Sequence, residues 1–212
     1  MDINHIVKDF EKGQKELSDI GDSITIFGGS RFKEDSIYYQ KAIEIGKRLS
    51  DSGYNIITGG STGIMEASNK GAKLSGKTKS IGIHIDNLPF EQHPNKYLDK
   101  ELNLHYFFTR KVMLINYSSA YIIMPGGFGT LDEFFEVLNL IRTKNHQPVP
   151  IVLFGSKYWG KLYEFMNTTM LEYETINQND LKYVFLSDNI DEVVEKIKYP
   201  LHPKTHQNPN LS

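Results

Sequence analysis

The sequence predicts an α/β domain: a mostly parallel sheet of about seven strands, doubly wound with helices on both faces. Three observations predict it. Short β-branched runs alternate with longer amphipathic stretches along the chain. Three of those runs end in paired glycines that lead straight into a helix: Gly28-Gly29-Ser30, Gly59-Gly60-Ser61-Thr62-Gly63 and Gly126-Gly127-Phe128-Gly129. The 212 residues suffice for one such domain and are too few for two. The strand–glycine–helix unit that begins at Ile24 marks the arrangement as Rossmann-like. Its spacing is not GxGxxG, so a dinucleotide is not favoured.

Residues 1–22 read as an N-terminal helical extension, amphipathic over 3–20 through Ile3, Ile6, Val7, Phe10, Leu17 and Ile20. The domain spans 23–199. Its first strand is Ile24–Phe27, followed by a helix from Ser36 to Ser52 with Ile37, Ala42, Ile45 and Leu49 inward. Gly53 closes that helix. The strand Tyr54–Thr58 feeds a helix carrying Ile64, Met65, Ala67, Ala72 and Leu74. Ser80–Ile85 is the third strand, and the Pro- and Asn-containing stretch Asp86–Lys100 is a long loop. A short strand over Leu102–Phe107 precedes a helix opened by Arg110. Ala120–Met124 is a buried strand, and after it Leu131, Phe134, Phe135, Leu138 and Ile141 recur at helical spacing. Val149–Phe154 and Val184–Leu186 complete the strands, with helices over 158–170 and 190–197. Residues 200–212 are polar, with prolines, and are expected to be a disordered tail.

A net charge of −2 gives no basic footprint, so nucleic acid is not indicated. No apolar run is long enough to span a bilayer, and the N-terminus has no signal-peptide core, so no membrane partner is expected. The chain has no cysteine, which excludes disulfides and thiolate chemistry and fits a cytoplasmic protein. The histidines His5, His84, His93, His105 and His146 show no metal-ligand spacing. There is no Gly-x-Ser-x-Gly elbow.

The stretch from Met124 to Glu133 organises the rest. Glycines at a strand-to-helix turn let a ligand approach the backbone, and the free N–H groups of the helix's first turn suit a phosphate. Thr130 adds a hydroxyl. Asp132 and Glu133 bring carboxylates to the same place, either as helix caps or as chemistry. In a parallel sheet the three glycine loops lie at the carboxyl edge, where ligands bind.

Pro125-Gly126-Gly127-x-Gly129-Thr130-x-x-Glu133 resembles the signature of the "Lonely guy" family, the cytokinin riboside 5'-monophosphate phosphoribohydrolases, many once called lysine decarboxylases. All six fixed positions match. The resemblance extends from Ile24 to Ile197. Gly59-Gly60-Ser61-Thr62-Gly63-Ile64-Met65 is similar to the family's second glycine run, with Ser61 for its third glycine. Arg110-Lys111-Val112-Met113 is similar to its Arg-Lys-x-Met helix start. The plant enzymes have Glu where Thr109 stands, and Phe107–Lys111 looks like a bacterial branch.

The resemblance implies cleavage of the N-glycosidic bond of AMP or an N6-modified AMP, without metal or cofactor, by a homodimer. Glu133 would stabilise oxocarbenium-like charge on the ribose or activate water. Arg110 would orient the substrate. Gly126, Gly127, Gly129 and Thr130 would cradle the 5'-phosphate, with Ser30, Gly59 and Gly60 near it. Lys111 is a further phosphate contact or a solvated residue, and Glu91 a base contact. No general acid for the leaving base stands out; His84 and Asp86 are expected to be structural. The alternative is a nucleotide or molybdenum-cofactor binding or carrier protein, since carriers share the fold. The presence of both Arg110 and Glu133 favours the enzyme.

Overall fold

Seven strands form one sheet: β1 (Ser23–Phe27), β2 (Asn55–Thr58), β3 (Ser80–Ile85), β4 (Lys100–Leu104), β5 (Ala120–Ile123), β6 (Ile151–Phe154) and β7 (Val184–Ser187). They lie in the order β4-β3-β2-β1-β5-β6-β7, and every pairing is parallel. The computed structural model describes residues 1–86 and 93–198; the tail expected over 200–212 lies outside them. The helices are α1 (Ile3–Leu17), α2 (Ile37–Asp51), α3 (Ile64–Ser75), α4 (Phe107–Asn116), α5 (Phe128–Arg142), α6 (Ser156–Asn167), α7 (Thr169–Glu172) and α8 (Ile190–Lys198).

The central strands are buried on both faces, so they read as continuous apolar runs rather than alternating ones. One face carries Phe27, Ile57, Ile81, Tyr121 and Leu153, covered by Leu17 of α1, Met113 of α4, Phe134 of α5 and Trp159 of α6. The other carries Ile24, Ile26, Ile56, Ile122 and Val152, covered by α2 (Ile45, Leu49), α3 (Ile64, Ala67) and α8 (Val193, Ile197). Each such buried side chain contributes about 1.5–3 kcal/mol. Among the described residues no helix is long and apolar enough to cross a membrane.

Four local expectations are corrected. β4 ends at Leu104, because Tyr106 is already the extended N-cap of α4. That helix starts at Phe107, so Arg110 lies within it rather than opening it. The helix expected over 158–170 is two, broken at Thr168 (φ −122°, ψ −77°). Ile37, placed inward by periodicity, is exposed (65%), since it sits in the first turn of α2.

Helix α1 is tied to the helix that carries Arg110. Asp9 is buried and accepts hydrogen bonds from the His105 N–H (2.9 Å), the His105 ring (2.7 Å) and the Thr109 hydroxyl (2.6 Å). Burial pushes its carboxyl up, but the bonds from Thr109 and His105 outweigh that and hold it below the ordinary range. The result is a carboxylate from α1 seated at the positive end of α4.

Candidate active site

The strand order reverses between β1 and β5, and outside their carboxyl ends lies an open cleft of about 670 Å³. This is the switch point where open α/β sheets bind ligands, and the volume falls in the small-molecule range. The loop after β1 (Gly28–Phe32) forms one wall and the start of α5 (Gly126–Thr130, Glu133) the other; Arg110, Met65 and Tyr158 complete it.

Backbone bonds lace the loops together. The Gly29 N–H donates to Pro125 O (2.9 Å), and Gly29 O accepts the first amide of α3, Ile64 N–H (3.0 Å). The Tyr158 hydroxyl donates to Gly126 O (2.7 Å). Gly126 has no room for a side chain: a Cβ there would lie 2.2 Å from Thr130 Oγ1 and 2.9 Å from Gly29 N. Gly127 is extended (φ −93°, ψ −152°), and Leu131 is the first amide of α5 to bond back, to Gly127 O (3.1 Å). The amides of Gly127, Phe128, Gly129 and Thr130 therefore have no partner among the described residues. Four open N–H groups at the positive end of a fifteen-residue helix make an anion cradle.

Arg110 is 9% exposed. Its Nε donates to Ile83 O (2.8 Å), and its guanidinium lies against Gly59, where a Cβ would come within 1.9 Å of Nη2. Burial lowers its pKa and Glu133 opposes that shift; a guanidinium nonetheless stays charged. Glu133 is the sixth residue of α5, below the first turn, which holds no acid. It is a cleft-facing group and not a helix cap. Its carboxyl is pushed up to about 7, chiefly by burial; Asp132 and Glu136 add to the push, and Arg110 and Lys111 oppose it. The two charges act across the cleft, with no ion pair within 4 Å between them among the described residues.

The cleft thus brings together Ser30, Arg110, Gly126, Gly127, Gly129, Thr130 and Glu133. Other expected contacts stand elsewhere. Gly59 and Gly60 do not line it: Gly59 backs Arg110, and Gly60 (φ +71°) packs on His84 and Gly82. That second glycine loop is sealed. Its helix amide is spent on Gly29 O, and Asn95 Nδ2 donates to the carbonyls of Gly60 (2.9 Å) and Ser61 (3.2 Å). Two glycine loops, not three, face the ligand space. Lys111 turns to α5, pairing with Asp132 (3.0 Å) and Glu136 (2.8 Å). Glu91 lies outside the described residues. His84 is buried with its Nε2 unpartnered, and burial lowers its pKa.

Sequence reasoning missed Arg31, Phe32, Met65 and Tyr158. Arg31, following directly on Gly28-Gly29-Ser30, was visible as a cation on a glycine loop. Tyr158 left no signal, because it reaches the cleft from the first turn of α6, far along the chain from the signature.

Fold and site define an α/β protein with open helix-start amides, suited to an anion, beside a carboxylate of raised pKa. The chain belongs to the family described as "Possible lysine decarboxylase", whose profile matches residues 65–197. It is 26% identical over 184 residues to the probable cytokinin riboside 5'-monophosphate phosphoribohydrolase LOGL2 of Oryza sativa subsp. japonica, covering 85% of this chain and 75% of that protein. It is 27% identical over 152 residues to the cytokinin riboside 5'-monophosphate phosphoribohydrolase of Rhodococcoides fascians, covering 71% and 76%. The molybdenum cofactor binding protein of Rippkaea orientalis shares the fold (TM-score 0.62, 22% identity, 84% of this chain and 95% of that one). So does the molybdenum cofactor carrier protein of Chlamydomonas reinhardtii (TM-score 0.62, 21% identity, 84% and 96%).

Proposed function

We propose that the chain hydrolyses the N-glycosidic bond of a nucleoside 5'-monophosphate, AMP or an N6-modified AMP, releasing the base and ribose 5-phosphate. The observation that carries this is the spacing along α5 between the open amides at its start and Glu133, five residues on from Phe128. Five residues of helix span about 7–8 Å, which suits a 5'-phosphate at one end and the anomeric carbon at the other. The names of the relatives support the same class of substrate.

In this scheme the amides of Gly127–Thr130 hold the phosphate. Arg110 fixes the ribose end and keeps Glu133 available as a carboxylate. As the C1'–N bond breaks, positive charge grows on the ribose, and Glu133 stabilises it and takes a proton from the water that attacks C1'. The base leaves with the bonding pair and takes a proton from solvent, and Glu133 gives the proton it took from the attacking water back to solvent, so that one water is consumed per bond broken. Exposed Phe107, Phe108 and Phe135 on α4 and α5 support a homodimer through these helices, which light scattering in solution tests.

The direct experiment incubates the protein with AMP and follows adenine and ribose 5-phosphate. Turnover that disappears in Glu133→Gln is the expected result. Tight AMP binding without turnover would overturn it in favour of a nucleotide or molybdenum-cofactor binder, the reading to which the fold neighbours point.

A further inference from the structure

Two successive residues of α6 are bonded to the end of β5 and the loop that follows it. Trp159 Nε1 donates to Ile123 O (3.0 Å) and is buried, which anchors the helix to the sheet. Tyr158, packed edge-on against that indole (4.7 Å between centroids), reaches one step further along the chain and donates its hydroxyl to Gly126 O (2.7 Å). Gly126 is hemmed on its other side by Thr130 Oγ1 and Gly29 N. The peptide joining Gly126 to Gly127 is planar and trans, so its C=O and N–H point in opposite directions. Holding the carbonyl on Tyr158 therefore fixes where the Gly127 N–H points. Gly127 itself imposes little: a Cβ there would meet nothing within 4 Å, and glycine rotates freely.

We propose that Tyr158 is a positioning residue: its hydroxyl locks the Gly126–Gly127 peptide so that the Gly127 N–H faces the anion cradle, and it thereby sets affinity for a phosphate-bearing ligand. The assignment rests on the proposed phosphate site at the start of α5. It concerns a side chain from the first turn of α6, outside the Pro-Gly-Gly-x-Gly-Thr-x-x-Glu signature.

Tyr158→Phe removes one oxygen and keeps the ring on Trp159. The losses expected are those of one hydrogen bond. Ribose 5-phosphate binds roughly 3- to 10-fold more weakly, and KM for AMP rises by a similar factor while kcat changes less than twofold. In glycine-labelled protein, the Gly127 amide resonance shifts on adding ribose 5-phosphate to the native chain and shifts markedly less in the variant. A purely structural hydroxyl would lower Tm and leave the phosphate affinity and that resonance as they are, which overturns the assignment. If the native chain itself fails to bind ribose 5-phosphate, the cradle and this role for Tyr158 fall together. Native binding with an unchanged variant removes Tyr158 alone.

Discussion

The stretches Gly59-Gly60-Ser61-Thr62-Gly63-Ile64-Met65-Glu66 and Gly126-Gly127-Phe128-Gly129-Thr130-Leu131-Asp132-Glu133 have one plan and opposite fates. Each follows a parallel strand, opens on two glycines and ends on a glutamate. After the first, the helix starts five residues beyond Gly59, at Ile64; after the second, two residues beyond Gly126, at Phe128. The earlier start matters. Glu66 falls in the first turn of α3, a capping position, while Glu133 lies about 4.5 Å further down its helix and most of a turn round. The first helix spends its leading amide, Ile64 N–H, on Gly29 O and has the amides of Met65 and Glu66 without a partner among the described residues; the second has four such amides in a row, Gly127 to Thr130. Where a helix begins, more than what it is made of, decides whether a glycine loop seals or receives.

That contrast breaks most readily at the glutamates. Glu133→Gln is expected to cut adenine release by roughly 10²–10⁴-fold, the usual span for a proton-handling group. Glu66→Gln leaves the rate within about twofold, and equal losses in both would erase the distinction.

Gly59→Ala comes next. It drives a methyl into the Arg110 guanidinium and within 2.7 Å of Met65 Sδ. Misplacing that cation by about 1 Å lowers kcat on the order of 10²-fold, and overpacking costs about 1–3 kcal/mol by denaturant melts.

A third effect is on stability. The native Glu133 carboxyl, at about 7, binds its proton more tightly than the unfolded one, whose ordinary value is 4.5. From pH 4.5 to 7 the folded state retains a proton that the unfolded state has lost, so stability declines as pH rises through that window. Glu133→Gln escapes the decline: about 1–3 kcal/mol more stable than the native chain at pH 8, little different at pH 4. Catalytic activity should fall over the same interval in the other direction, as pH drops through 7 and the carboxylate is lost. A native melt independent of pH between 5 and 8 would contradict both statements.

The smallest change is Gly129→Ala. A Cβ there touches nothing within 4 Å, so Tm stays within about 1 °C. Ribose 5-phosphate binding nevertheless weakens, because the methyl enters the space the ligand uses.

Much of this was legible in the residues. The seven strands, the helix after Gly127 and the presence of Arg110 and Glu133 on one cleft follow from β-branched runs, glycine punctuation, a six-position signature and the Arg-Lys-x-Met helix. The sealing of the second loop was not. It depends on Asn95, more than thirty residues away, and on a carbonyl in the loop after β1. Neither leaves a local periodicity to read. The same holds for Tyr158 of α6, whose partner is a backbone atom of the loop after β5. Ile37 misleads for a simpler reason: periodicity gives the phase of a helix but not how far its ends overrun the sheet.

The strand order has a bearing on how the molecule is made. With β1 in the middle, each new strand leaving the ribosome pairs with one already synthesised: β2, β3 and β4 extend one flank, then β5, β6 and β7 the other. Every strand after β1 finds a neighbour already made; the edge left open longest is the β5-facing side of β1, which waits until Ala120–Ile123 is translated. The cleft is the seam between these two waves of growth, and it comes into being only when Ala120–Ile123 docks beside the oldest strand.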